Sequence, residues 1–94
     1  MNQINTLTGV ELISLERKKQ VEELGRTLEH DIVHNPDGEL EQGAYALLAD
    51  EEDYFPVKWD AEVCKKMVSK SHMDRLIMAG ALIAAEIDRL NGIK

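Results

Sequence analysis

The chain has one cysteine, two prolines and four aromatic side chains among its 94 residues. A lone cysteine, Cys64, excludes an internal disulfide framework and a cysteine-rich zinc site. Although Lys65 and Lys66 flank it, it reads as a half-buried small apolar residue in preference to a reactive thiol. No run approaches the ~18 apolar residues of a membrane span, and the N-terminal stretch lacks the apolar core of a secretion signal, so the expected compartment is the cytoplasm. Cations are scarce: 11 Lys and Arg stand against 18 Asp and Glu, for a net charge of −7. That balance disfavours nucleic-acid backbones, which need a basic face to displace counterions, and it disfavours anionic membrane surfaces.

What is present is ordinary for a globular protein, with 44% apolar and 31% charged residues. The length allows one helical domain, residues 1–94, with residues 1–7 expected to fray. A chain this short buries only about 60–65% of the surface that its unfolded form exposes, so a lone copy has modest stability. No alternation of strand period is found, and the expected class is all-α.

Two amphipathic helices carry the pattern. The first spans about 9–24. Thr8-Gly9-Val10-Glu11 forms a capping box, Val10, Ile13, Arg17, Val21 and Leu24 share a face, and Gly25 supplies a left-handed stop. Arg17 interrupts that face, as a packed alkyl stem with its guanidinium turned to water or as a ligand group. The last helix spans about 72–91. Ser71-x-x-Asp74 caps it, and Met73, Leu76, Ile77, Gly80, Ile83, Ile87 and Leu90 keep helical spacing. Ala79-Gly80-Ala81 and Ala84-Ala85 smooth one of its sides for close approach by the first helix or by a second subunit. Two such helices in so short a chain predict a homo-oligomer.

Between them, Thr27 caps one or two turns that Asn35-Pro36-Asp37-Gly38 must stop. Asp37 is expected to cap a helix over 39–49, with Leu40, Ala44, Leu47 and Leu48 on its apolar side. Asp50-Glu51-Glu52-Asp53 reads as a solvated loop or helix end. Tyr54, Phe55 and Trp59 belong to a structured aromatic loop folded over the core or over a ligand. Asp60 then caps a short helix within 60–70.

The densest polar cluster is Glu29-His30-Asp31-x-x-His34, with Asp37 and Glu39 beyond. On a helix, His30 and His34 lie one turn apart. His-Asp-x-x-His loosely matches a zinc protease, but Asp is too short for the role of base and Pro36 truncates the helix. A His-Asp phosphohydrolase needs further metal ligands and a larger helical domain. All-α nucleotide pyrophosphohydrolases complete Glu-Glu-x-x-Glu and Glu-x-x-Asp motifs, where this chain has Glu22-Glu23 followed by Arg26, and Glu86 followed by Arg89. No enzyme motif is completed, so no catalytic residue, metal ligand or cofactor is assigned. A bland alternative is a hydrogen-bonded loop in which Asp31 caps or pairs with Arg17 or Arg26. The functional alternative is a recognition loop. Its histidines and carboxylates would contact a polar ligand, Trp59 or Tyr45 would stack on a planar group, and Lys58, Arg17 or Arg75 would hold an anion.

The segments Glu16-Arg17-x-x-Gln20, Gly25-x-Thr27-x-Glu29-His30-Asp31-x-x-His34, Gly38-Glu39-Leu40 and Ala79-Gly80-Ala81-Leu82-Ile83-x-Ala85-Glu86-Ile87-x-Arg89-Leu90 resemble a family of small phage and prophage proteins. They share a fainter pattern with ryanodine-receptor repeat domains, helical modules associated with nucleotide-derived ligands. The chain departs from the phage pattern at Arg26, where an aromatic is usual, and in a Trp-rich stretch reduced here to Tyr54, Phe55 and Trp59. The resemblance implies a protein of a bacterial host's cytoplasm acting on metabolism or defence, such as one sequestering a nucleotide signal. The site it implies is Arg17, Glu29, His30, Asp31, His34 and Glu39, joined by Trp59 as a stacking group. Two other functions are compatible with the sequence: an acidic module that blocks a host protein, and a metal-dependent nucleotide pyrophosphohydrolase.

Overall fold

The helices start and stop where local capping chemistry puts them. The computed structural model describes residues 7–25 and 27–92, without the Leu24 side chain. Expectations for Arg26 and for the N-terminal lead up to Thr6 therefore lie outside the described residues. Helix α1 is Gly9–Leu24. The Glu11 amide donates to Thr8 Oγ1 at 3.2 Å, the Thr8 amide donates back to Glu11 Oε1 at 2.8 Å, and Gly25 closes the helix at φ 70°. Helix α2, Leu28–His34, is capped by Thr27, and Pro36 ends it after Asn35. Helix α3 is Glu39–Ala49, followed by a 3-10 turn at Glu52–Tyr54, helix α4 at Ala61–Val68 and helix α5 at His72–Gly92. Asp60 Oδ1 accepts from the Glu62 and Val63 amides to start α4, and Ser71 Oγ accepts from the Asp74 amide at the start of α5. Five α-helices and no strand are found among the described residues, and none of the helices is long and apolar enough to cross a membrane.

One cap differs from expectation. Asp37 does not cap α3. The capping position falls on Gly38, whose φ of 88° makes the turn after Pro36, and the Glu39 carboxylate folds back to accept from the Asp37 amide at 2.8 Å. A side chain at Gly38 would be held in a left-handed conformation that costs roughly 1–2 kcal/mol.

Helix α5 is the axis of packing, with α3 laid along it most extensively, α1 next and α2 near its end. Leu40, Ala44 and Leu47 of α3 meet Ala79, Leu82 and Ala85 of α5, and Phe55, Cys64 and Met67 close the core. The small-residue side of α5 is closely approached, as its composition suggests, but by α3 as well as by α1. Helix α5 buries its alanine side, while Met73, Leu76, Ile83, Ile87 and Leu90 stay between 43% and 56% exposed. Small side chains let the α3 backbone come close, and the larger stripe is turned away from it. The smooth side also receives α1: a Cβ on Gly80 would lie 2.6 Å from Ile13 Cδ1. Helix α1 is less amphipathic than its spacing suggests, because Val10 and Leu15 are exposed and the most buried of its described side chains is Gln20. Leu48, expected inside, is exposed as well, and Cys64 is fully rather than half buried.

Candidate functional site

Pro36 truncates α2 soon after its two histidines, and that truncation shapes a cleft. Four residues apart on one helix, His30 and His34 project on the same side with ring centroids 4.5 Å apart, tilted by 33°. The chain returns to this place through Pro56–Asp60, where the Trp59 amide donates to the Pro56 carbonyl at 3.0 Å. The two segments enclose about 440 Å³, lined by His30, Val33, His34, Asn35, Lys58, Trp59, Asp60 and Val63. That volume lies in the range of small-molecule sites.

A polar chain behind the cleft fixes Trp59. Its Nε1–H donates to Asn35 Oδ1 at 3.0 Å, and Asn35 Nδ2 donates to Asp31 Oδ1, also at 3.0 Å. The same Asp31 oxygen lies 3.5 Å from His30 Nδ1. Asn35 must present its oxygen to the indole, because its amide nitrogen is committed to the carboxyl. Asp31 is fully buried, and its Oδ2 accepts no hydrogen bond from a described residue. From below, Trp59 is supported by Gly43 of α3, where a Cβ would lie 2.6 Å from two ring carbons, and its ring centroid is 6.0 Å from that of Phe55.

Lys58 forms the cationic edge of the cleft and reaches Glu39 Oε2 at 3.0 Å. Partial burial works to raise the Glu39 pKa, but the Asp37 amide and the Lys58 ammonium outweigh it and hold the carboxyl below its usual value. A depressed carboxyl stabilises the fold above its unfolded pKa, near 4.5, and loses that contribution as pH falls through the folded value. Glu39→Gln is therefore expected to flatten the acid side of a stability-against-pH profile below about pH 4.5, measured by urea midpoints, and to leave the midpoint at neutral pH changed by less than about 1 kcal/mol.

The expected site residues are distributed unevenly. His30, His34 and Trp59 line the cleft, Asp31 lies buried behind it, and Glu39 reaches it through Lys58. Glu29 is exposed and does not line it. Arg17 faces α5 instead, 3.7 Å from Asp88, with its side chain only 16% exposed. Nor does Asp31 pair with Arg17 as the hydrogen-bonded reading proposed; its described partners are Asn35 and His30. Of the other stacking and anion-holding candidates, Tyr45 stacks on Tyr54 at 5.1 Å, and Arg75 donates to the Leu47 and Lys70 carbonyls. Asn35 was missed. Its position four residues after Asp31 places both on one helical face, and that spacing was the available signal.

The carboxylates named for a hydrolase are dispersed. Glu22 and Glu23 are exposed on α1, and Glu86 is held by Arg89 through two 2.8 Å bonds that raise the arginine pKa. Among the described residues no three His, Cys, Asp or Glu side chains converge closely enough to hold a metal ion. No family model, curated protein or solved structure matches the chain.

Proposed function

We propose that the chain is a small phage-type helical protein that binds a nucleotide-like molecule in the cleft between α2 and Trp59, sequestering a host defence or metabolic signal without turning it over. The observation that carries this reading is the convergence of unlike groups on one small cleft. Trp59 with Val33 and Val63 offers apolar surface to a planar ring, and the adjacent imidazoles and Lys58 offer donors to an anionic group. Binding needs no completed catalytic constellation, which agrees with the absence of an enzyme motif in the sequence.

Trp59 is the only tryptophan, so its emission reports the cleft directly. Titration with nucleoside mono-, di- and triphosphates and cyclic dinucleotides is expected to quench it saturably for at least one class. His34→Ala and Lys58→Ala are expected to weaken that binding by about tenfold each, and Glu29→Ala to leave it unchanged. Native mass spectra of the protein as purified should retain a species of nucleotide mass. Flat titrations across all classes at millimolar concentration, with no retained species, would overturn the proposal.

A second reading has its own observation. Tyr45 and Tyr54 stack in the open next to Asp50-Glu51-Glu52-Asp53, and residues 27–57 contain no Lys or Arg. Such a surface suits a basic protein, whose cations can sit over the tyrosine faces. Capture of a defined host protein that is lost at high salt and in Tyr45→Ala would place this reading first.

A further inference from the structure

Helix α2 carries two imidazoles and two carboxylates, and no lysine or arginine occurs between residues 27 and 57. His30 and His34 stand one turn apart with ring centres separated by 4.5 Å, and both line the cleft. Metal–imidazole bonds are about 2.0–2.1 Å long, which puts each ring centre about 3.2 Å from the ion. Two imidazoles on neighbouring corners of a coordination sphere then have centres roughly 4.5 Å apart at a right angle and roughly 5.2 Å apart at the tetrahedral angle. The spacing in this protein is that of the right angle, which square and tetragonal ions take.

His30 is also prepared on its other side. Its Nδ1 lies 3.5 Å from Oδ1 of the fully buried Asp31. A carboxyl there keeps the ring proton on Nδ1 and leaves the Nε2 lone pair for an ion, the arrangement usual behind a metal-bound histidine. Asp31 is itself held by Asn35 Nδ2 at 3.0 Å. Among the described residues its Oδ2 accepts from no donor, and no lysine or arginine pairs with it. A cation bound to the imidazole supplies the positive charge that this buried carboxyl lacks. Lys58, at the edge of the cleft, is committed to Glu39 at 3.0 Å, so its charge opposes an incoming ion only weakly.

We propose that His30 and His34 chelate a divalent transition-metal ion of the copper(II) or nickel(II) class in the cleft, with Asp31 as the positioning residue behind His30. Imidazole nitrogen suits these ions, whereas magnesium and calcium take oxygen ligands. No third His, Cys, Asp or Glu joins the pair among the described residues, so the remaining corners belong to water or to an oxygen of a bound molecule. Asp60 also lines the cleft, but its Oδ1 accepts from the Glu62 and Val63 amides. An ion with two protein ligands is held reversibly and is not built into the fold, unlike one in a closed four-ligand site. The inference does not rest on the nucleotide reading.

Titration of the full chain with copper(II) chloride and, separately, nickel(II) chloride in a non-coordinating buffer tests the proposal, with no nucleotide present. Both ions quench indole emission at short range, and Trp59 lines the same cleft. The expected result is saturable quenching at one ion per chain, with copper bound more tightly than nickel and magnesium without effect. The electron paramagnetic resonance spectrum of the copper complex should show two equatorial nitrogens. His30→Ala and His34→Ala should each weaken binding by at least about tenfold and leave one nitrogen. Asp31→Asn should weaken it by about tenfold with both nitrogens retained. His72→Ala, at the exposed start of α5, should change nothing. His34 is exposed, so its variant decides the matter if His30→Ala fails to fold. Copper bound as tightly in the folded alanine variants as in the wild type is an adventitious ion only and would overturn the proposal. So would a one-nitrogen spectrum of the wild type, or the absence of saturable quenching by either ion at millimolar concentration. Nucleotide titrations repeated in EDTA separate this inference from the nucleotide reading, since quenching by nucleotide that survives there owes nothing to the ion.

Discussion

Gly43→Ala is expected to lower the melting temperature by about 5–10 °C and to shift Trp59 emission to the red. Gly43 lies in the fifth position of α3, under the indole, and an added Cβ would come within 2.6 Å of Trp59 Cη2 and Cζ3. Two effects compete. Alanine is the better helix former, worth roughly 0.5–1 kcal/mol at an interior position. Overpacking against a seated side chain costs roughly 1–3 kcal/mol, and the rigid ring places this site at the upper end. The indole cannot swing aside without leaving Asn35 Oδ1, to which its N–H donates at 3.0 Å. Steric displacement wins by about 1–2 kcal/mol. Gly9→Ala is the control, since among the described residues nothing beyond its chain neighbours and its own helix backbone lies within 4 Å of the Cβ it would add, and it should melt at or slightly above the wild-type temperature. A Gly43→Ala protein with wild-type melting and emission would show that the ring does not rest on α3 in solution.

The contrast between Gly43 and the helix caps explains which parts of the fold were legible. Thr8, Thr27, Gly25 and Asp60 act on groups within five residues, so the sequence contains both partners of each interaction. Asp37 failed because cap identity depends on backbone geometry: Gly38 took the left-handed turn and with it the capping position. The choice of buried face on α5 was left open by the spacing, for a packing reason. Periodicity marks Leu76, Ile83, Ile87 and Leu90 and Ala79, Ala81 and Ala85 alike as possible inner faces, and only the close approach of α3 selects the alanines. The candidate site divides in the same way. The pairing of His30 with His34 is a matter of helical spacing, whereas the bond from Trp59 to Asn35 spans 24 positions and belongs to tertiary structure. Arg17 lies on the side of α1 that faces α5, but a face does not name its partners, of which Asp88 is one.

Asp31→Ala is expected to destabilise the protein by about 2–3 kcal/mol, with Asp31→Asn remaining within about 1 kcal/mol of wild type. The side chain is fully buried, and its Oδ1 is the acceptor that orients Asn35. Removing the carboxyl leaves the Asn35 amide nitrogen as a buried donor without that acceptor, which costs roughly 1–3 kcal/mol, and it opens a small void. Once Asn35 is released, its amide can rotate, and the indole N–H loses a fixed acceptor. The effect should therefore travel from α2 to the cleft, and Trp59 emission should broaden and shift to the red in Asp31→Ala. Asparagine retains an oxygen for Asn35. It replaces Oδ2, which no described residue stabilises, by an amide nitrogen equally without a partner, so a modest cost remains. Urea midpoints for the pair, read with the emission maximum, separate two roles. If both variants lose the same stability and both shift the emission, the carboxyl itself holds the network. If only alanine does so, the requirement is for an oxygen at Oδ1. The orientation of Trp59 then rests on a hydrogen-bond relay through Asn35, and either substitution that breaks the relay should weaken ligand binding in the cleft even though Asp31 does not line it.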